Sequence, residues 1–411
     1  MKKRALSLLI TCLVSNVSNS AEHKLTGLID SRVSQVDGIN SHVNGNYGKF
    51  RFDDGTNISL SQAIVNYHLD FDIPISLNVV AIAYADGIDD SIGISEATIK
   101  YQAIPNSSGL RFSARAGIMY PKISLENNAT GWTSPYTLTY STLNSWIGEE
   151  VKHTGLELTL DILGKFRQSK HDVSISASVY KNNDTTGTLL SWRGWTQSSR
   201  QTLWHERLPV PPVKARFGGM LKHQAAETDP FIELDHRYGF EANVLWQWNN
   251  KLKLRVGHYD NNADTKVFKN GQYVWETIFS HVGANYKLTP STTLISQFLT
   301  GDTLMTSPWG MPVVENDFQS AFVLITHKNK SHRYTVRMEE FSVTDNDTTP
   351  DDDNNEYGKS ATLSYQYRFN RHLFLQAEYN WLDSTRPARA YAKQDIQLTE
   401  QQYQLAAKYY W

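Results

Sequence analysis

The chain has 411 residues, of which 40% are hydrophobic and 20% are charged, and its formal net charge is −2. The mean hydropathy is −0.46, and the longest apolar stretch beyond the amino-terminal region, about Val79–Ala85, is far too short for a membrane-spanning helix. A near-neutral chain gives no electrostatic reason to expect nucleic-acid binding. Its single cysteine, Cys12, excludes a disulfide framework and a cysteine metal site.

Residues 1–20 have the features of a secretory signal peptide. Lys2–Arg4 is basic, the apolar run Ala5–Val14 follows, and the small residues Ser18 and Ser20 precede the expected cleavage point. Such a segment is removed and takes no part in the fold. We therefore predict the mature protein to span 21–411.

Sixteen later segments alternate apolar and polar residues with a period of two, which predicts β-strands with one apolar and one polar face. The connections after even-numbered segments are short, and several contain Gly, Pro, Asn or Ser. Most connections after odd-numbered segments are longer, the longest being 181–236. The segments are 23–34, 60–71, 74–85, 94–103, 109–118, 152–162, 172–180, 237–248, 251–259, 276–288, 291–300, 318–327, 331–341, 359–369, 372–382 and 401–411.

One face of these segments carries almost no charge, Glu340 being the exception, while the other face carries many charges. A charge at the middle of a bilayer costs about 2–4 kcal/mol, so a lipid-facing surface would enforce this difference. A soluble β-sandwich would instead bury its apolar face and expose the charges. The pattern predicts an all-β, transmembrane antiparallel barrel of about sixteen strands. The predicted pore-lining residues are Arg32, Arg111, Arg115, Arg255, Arg333, Arg337, Glu157, Glu241 and Glu378.

Outward-facing aromatic residues gather at the ends of the predicted strands. Amphipathic rings at both interfaces of a membrane form such girdles in β-barrels. The last segment ends the chain at an aromatic residue with no turn after it. The predicted girdle residues are Tyr67, Phe71, Trp246, Trp248, Tyr367, Tyr379, Trp381, Tyr409 and Trp411.

With its signal peptide, strand number, alternating loops, aromatic girdles and terminal KYYW, the chain resembles bacterial outer-membrane porins of the sixteen-stranded, usually trimeric, kind. The resemblance implies an outer-membrane location, short periplasmic turns and long extracellular loops. It also implies a homotrimer, contacts with lipid and lipopolysaccharide, and recognition of the last strand by the barrel-assembly machinery. The Pro-Glu-Phe-Gly-Gly-type signature of general porins is absent. Eighteen strands are an alternative, if a hairpin forms around Val213–Leu221.

Porins of this kind fold their third outer loop into the barrel, which here corresponds to residues 119–150. Arg111 and Arg115 project into the lumen from the strand that leads into this loop. Acidic groups opposite them would set a transverse field that orients dipolar solutes. The alternative is a solvated loop, with the lumen charges in local ion pairs. The candidate acidic groups of the loop are Glu126, Glu149 and Glu150.

The long loop 181–236 contains SWRGW at Ser191–Trp195, as well as Trp204. These aromatic residues could stack sugars, plug the barrel or pack the loop on itself. The acidic run Asp345–Glu356 lacks the glycine and spacing of a calcium-hand loop and is interpreted as a solvated loop. No metal and no cofactor is predicted.

The predicted function is passive diffusion of small hydrophilic solutes or ions through a water-filled barrel narrowed by an inward loop. The alternative is a closed or plugged barrel that acts as a surface receptor or adhesion protein, which the length of the loop 181–236 supports. No enzyme activity is predicted, because the sequence lacks a Gly-x-Ser-x-Gly elbow and a His-Glu-x-x-His helix. Outward His258 and outward serines such as Ser280 share no obvious site in the sequence.

Overall fold

A computed structural model describes residues 21–86 and 91–411, so the predicted signal peptide lies outside the described residues. Sixteen antiparallel strands form a closed barrel, in which each strand pairs with the next and the last pairs with the first. The predicted sixteen-stranded barrel is confirmed. The possible extra hairpin is not formed, and a 3-10 turn occupies Lys214–Arg216 instead. Within the described ranges, no helix has the length and apolar character needed to cross a membrane.

The barrel strands, numbered in chain order, agree closely with the predicted segments, although several are longer at the long-loop end. They are β1 Glu22–Asp37, β2 Gly55–Asp70, β3 Ile75–Ala83, β4 Ile92–Gln102, β5 Leu110–Met119, β6 His153–Ile162, β7 His171–Lys181, β8 Gly239–Trp248, β9 Leu252–Asp260, β10 Trp275–Lys287, β11 Thr292–Thr306, β12 Pro312–Asn329, β13 His332–Asp345, β14 Glu356–Arg368, β15 Leu373–Thr385 and β16 Gln397–Tyr410.

The connections at one end of the barrel are short turns, and those at the other end are mostly long loops. The turn between β8 and β9 shows how the sequence sets the hairpin geometry. Asn249 and Asn250 have φ values of 49° and 52°, a left-handed conformation that asparagine adopts more easily than most residues. Two such residues give a turn whose twist matches that of the paired strands.

The seam of the barrel joins β1 to the end of the chain. The backbone N–H groups of Gly27 and Trp411 each donate to the carbonyl of the other residue at 3.3 Å. A side chain at position 27 would overlap the indole ring of Trp411. Glycine is therefore required here because the terminal aromatic ring and the backbone carbonyl oxygen of Ile64 both lie directly against position 27.

Three long-loop segments fold into the lumen, and we call them together the lumen plug: residues 41–52, 120–152 and 183–206. The plug contains helix α1, Thr142–Glu150, and helix α2, Thr188–Arg193. Every residue of both helices is buried. Helix α1 begins after Ser141, whose side chain accepts a hydrogen bond from the N–H of Asn144 at 3.3 Å.

Candidate functional site

The centre of the lumen is an apolar core between the plug and the barrel wall. Trp146 of α1 packs edge-to-face against Trp195, Phe279 and Phe318, with ring centroids 5.8, 5.3 and 5.2 Å apart. A wall in contact with water would not place apolar rings inward, so these positions are adapted to a filled lumen. The inward-facing apolar wall residues of this core include Tyr259, Phe279, Leu299, Phe318, Phe341 and Leu382.

Wall carboxylates hold the second plug segment by its backbone. Glu378 accepts hydrogen bonds from the N–H groups of Leu138 at 2.5 Å and Thr139 at 2.9 Å. Glu339 accepts from the N–H of Thr142, the first residue of α1, at 2.6 Å. The first N–H groups of a helix have no partner within the helix and carry partial positive charge. A carboxylate at this point therefore both satisfies a donor and fixes the orientation of α1.

Arg337 and Arg32, two predicted pore-lining residues, are also buried against the plug. Arg337 Nη1 lies 2.7 Å from Glu126 Oε1, and Nη1 also donates to the carbonyl of Thr139 at 2.8 Å. Arg32 Nη2 pairs with Asp30 at 2.6 Å, and its Nη1 donates to the carbonyl of Leu138 at 3.2 Å. Both guanidinium groups therefore connect the wall to the plug.

The acidic groups of the predicted constriction loop do not face the predicted arginine ladder. Glu126 pairs with Arg337, and Glu149 pairs with Arg193 at 2.5 Å. Glu150 accepts from the backbone N–H of Leu189, at the start of α2, at 2.9 Å. The expected placement of these acidic groups opposite the arginine ladder was wrong, because the third plug segment supplies the partners of Glu149 and Glu150.

Burial acts differently on the two neighbouring glutamates of α1. Burial raises the pKa of Glu150 to about 7, although backbone hydrogen bonds from α2 oppose the increase. The same burial would raise the pKa of Glu149, but the Arg193 guanidinium outweighs it and the pKa falls below its usual value. Glu149 therefore carries its charge in the plug at neutral pH, whereas Glu150 is close to its titration point.

Arg111 and Arg115 lie below the plug, in a polar cavity of about 350 Å³ that we call the vestibule. Their partners are on the neighbouring strand: Arg111 pairs with Asp161 at 2.8 Å, and Arg115 pairs with Glu157 at 3.1 Å. Lys122 of the plug also reaches Glu157, at 2.8 Å. These two arginines therefore form local ion pairs, which was the alternative to a transverse field.

The other predicted pore-lining residues support the underside of the plug. Glu241 accepts from the N–H of Lys122 at 3.1 Å, and Arg255 donates to the carbonyl of Ser124 at 3.1 Å. The guanidinium of Arg333 lies over the ring of Tyr136, 5.2 Å from its centroid. Most of the predicted lumen charges thus contact the plug directly.

No protein-family model matches the chain, and no curated protein sequence matches it. Solved structures do. The outer membrane channel DcaP of Acinetobacter baumannii is 11% identical, with a TM-score of 0.58 over 96% of this chain and 99% of that chain. The anion-selective porin from Comamonas acidovorans is 10% identical, with a TM-score of 0.54 over 95% and 100%. Salmonella typhi OmpF in complex with daunomycin is 11% identical, with a TM-score of 0.52 over 96% and 99%.

The chain has the fold of a bacterial outer-membrane porin. The apolar exterior of its closed barrel fits a lipid environment, because every strand finds its backbone partners within the barrel. In this fold the short turns are periplasmic and the long loops are extracellular. The vestibule therefore opens towards the periplasm, and the plug enters from the outside.

The predicted girdle residues all lie on the outer side of this porin barrel. Phe71, Tyr409 and Trp411 are exposed, and the other six are half-buried. Tyrosine hydroxyl groups of the girdle can hydrogen-bond to polar side chains. For example, His23 Nδ1 lies 2.8 Å from the hydroxyl of Tyr67. A ring that is apolar at its face and hydrogen-bonded at its edge suits a membrane interface.

Two features of the outer wall differ from expectation. Strand register places His258 opposite Ser280, with 2.9 Å between Nδ1 and Oγ, although no shared site was expected from the sequence. No carboxylate among the described residues hydrogen-bonds this histidine, so the pair lacks the orienting group of a catalytic triad. Glu340, the expected lone outward charge, has the outward Lys359 as its cross-strand neighbour and accepts from the hydroxyl of Tyr357 at 2.9 Å.

Three carboxylates of the longest loop, those of Asp184, Glu233 and Asp235, have oxygen atoms within 4.8 Å of one another. Asp184 accepts hydrogen bonds from the N–H groups of Leu234 and Asp235 at 2.5 and 3.2 Å. Burial raises the pKa of Asp184 to about 7. These backbone hydrogen bonds indicate that the carboxylate of Asp184 stabilises the loop.

Proposed function

We propose that this protein is a gated porin that gives small hydrophilic solutes or ions a diffusion path across the outer membrane. In the described conformation the plug closes that path. The observation that supports the proposal is the vestibule, a polar cavity below the plug with partly exposed charged side chains. A barrel used only to display loops needs no such cavity, because an apolar filling would be more stable.

Above the vestibule, the side chain of Lys152 connects the plug to β4. There the Nζ of Lys152 donates to the carbonyl of Thr202 at 2.7 Å and to Ser95 Oγ at 3.2 Å. The same ammonium lies over the ring of Phe231, 5.3 Å from its centroid, and half-buried Trp204 stacks on Phe231 at 5.1 Å. Lys152 thus joins β4, the third plug segment and the aromatic pair of Trp204 and Phe231. We place the gate at Lys152 and Trp204.

The proposal includes a homotrimer in contact with outer-membrane lipid and lipopolysaccharide, inserted by the barrel-assembly machinery through β16. A trimer form of OmpT, an outer membrane protein of Vibrio cholerae, is similar in structure. It is 13% identical, with a TM-score of 0.50 over 96% of this chain and 100% of that chain. Crosslinking of the protein in intact outer membranes tests the trimer.

Single-channel recording in planar bilayers tests the gate. We expect rare openings from the unaltered protein and frequent openings from the double variant Lys152→Ala/Trp204→Ala. Trp309→Ala is the matched control, because Trp309 is an indole in an outer loop with 90% of its surface exposed. A salt gradient then gives the ion preference. If the double variant folds, as shown by a heat-modifiable band on a gel, and remains silent, the gated-porin proposal is wrong.

The second candidate is a plugged barrel that serves as a surface receptor or adhesion protein. The apolar core around Trp146 favours it, because that core resists opening. This candidate predicts silence in every variant whose plug is only locally altered.

A further inference from the structure

The cations of the vestibule outnumber its carboxylates. Four lysine and arginine side chains line it together with His68, namely Lys100, Arg111, Arg115 and Lys122, against the carboxylates Glu96, Glu157 and Asp161. Asp161 pairs with Arg111, and Glu157 is shared between Arg115 and Lys122. Lys100 and Glu96 each have no oppositely charged group within 4.0 Å among the described residues.

The position of Lys100 concentrates positive charge at one point. Lys100 is the cross-strand partner of Arg115, so two cations face the cavity side by side, and of the two only Arg115 has a carboxylate partner, Glu157. The Nε of Arg115 is buried and has no hydrogen-bond acceptor. Like charges directly opposite one another on a sheet destabilise it, and an anion between them would remove that cost.

The remaining lining consists of groups that can bind an oxyanion. Hydroxyl and amide side chains surround the cations and can donate hydrogen bonds to oxygen atoms. Guanidinium groups bind carboxylate and phosphate well because their planar forks match two oxygen atoms. These polar lining residues include Ser76, Asn78, Thr98, Gln102, Ser113 and Ser174.

We infer that the vestibule is a binding site for small solutes that carry an oxyanion, either a carboxylate or a phosphate group, with Lys100 and Arg115 as its centre. The inference rests on the proposed function only for the class of solute that it names. Binding does not depend on the gate, because a cavity open to the periplasm can bind its ligand whether or not the gate opens. A volume of about 350 Å³ accommodates a small organic acid with some of its water.

Calorimetric titration of the folded protein in neutral detergent tests the site without any need for conductance. The probes are succinate and inorganic phosphate, with erythritol as the neutral probe and 1,4-diaminobutane as the cationic probe. We expect both anions to bind and the neutral and cationic probes not to bind. The anion with the higher affinity shows whether the site prefers a carboxylate or a phosphate group.

Lys100→Gln is the decisive variant, and Lys170→Gln is its matched control at an exposed periplasmic turn. We expect Lys100→Gln to weaken anion binding about tenfold, the loss of one charge-assisted hydrogen bond, and Lys170→Gln to leave it unchanged. Lys122→Gln serves as the second variant if Lys100→Gln does not fold. Equal binding by the Lys100 and Lys170 variants, or equal binding of erythritol and succinate, overturns the inference. If the variant Lys152→Ala/Trp204→Ala conducts no ions while anion binding is normal, the gated-porin proposal is overturned and the anion-site inference is not.

Discussion

Arg337 of β13 and Glu126 of the plug form an ion pair, 2.7 Å from Nη1 to Oε1, in which both side chains are completely buried. The guanidinium also contacts Glu339, at 2.7 Å from Nε, so one arginine joins two carboxylates from different parts of the chain. Such a buried group adds little net attraction to the free energy of folding, but it fixes the position of the plug against the wall. Removal of one member is costly because it leaves an unpaired buried charge.

Arg337→Gln should therefore release the second plug segment. The loss of one member of a buried pair costs about 3–5 kcal/mol. We therefore expect trypsin to cleave within residues 120–152 while the barrel stays folded. Arg371→Gln, at an exposed periplasmic turn, is the control. The double variant Glu126→Gln/Arg337→Gln should recover part of the protection, and no recovery would contradict a direct pair.

Trp146→Ala tests the apolar core of the lumen. The indole contacts three aromatic rings, so its removal leaves a large cavity and should cost about 3–5 kcal/mol. We expect faster hydrogen exchange in the amides of α1 and more frequent channel openings than in the unaltered protein. Trp309→Ala should change neither property. Unchanged exchange in α1 would mean that the plug does not depend on this core.

Glu150 should make the docking of α1 depend on pH. Its pKa in the folded plug is about 7, above the ordinary value of 4.5, so the folded state binds the proton more tightly than the unfolded state. Its contribution to plug stability is complete below about pH 4.5 and is lost as the pH rises through 7. We expect amide protection in α1 to fall between pH 5 and 8 and Glu150→Gln to reduce that dependence. An identical pH profile in the variant would exclude Glu150 as its origin.

The seam predicts a strict requirement for glycine at position 27. Gly27→Val should lower the yield of folded barrel, read as the heat-modifiable band on a gel, because the side chain overlaps the Trp411 ring. Ala407→Val, on the outer face of β16, should have little effect because Ala407 is exposed. Trp411→Ala should partly rescue Gly27→Val if overlap with the ring is the cause.

The strands were predictable from the sequence because a membrane imposes its pattern locally. Each outward position must be apolar whatever the distant contacts, so alternation alone locates a strand such as β16. The plug was only partly predictable. Residues 120–152 were expected inside the barrel by resemblance, but the inward position of 183–206 depends on contacts far apart in the chain.

One signal in the sequence could have indicated the filled lumen. Inward positions near the extracellular ends of several strands hold large apolar residues, such as Phe279, Phe318 and Phe341. A water-filled lumen would favour polar residues there. The inward charges, by contrast, cluster lower in the barrel and around the plug, and they favoured an open passage with Arg111 and Arg115 at its constriction.

The order of the plug and its wall along the chain has a consequence for biogenesis. All plug segments precede residue 207, whereas much of the apolar wall, including Tyr259, Phe279 and Leu382, comes later. Until those later strands are in place, the aromatic side chains of the plug lack these partners. This chain should depend more on periplasmic holdase chaperones than a barrel with a polar interior.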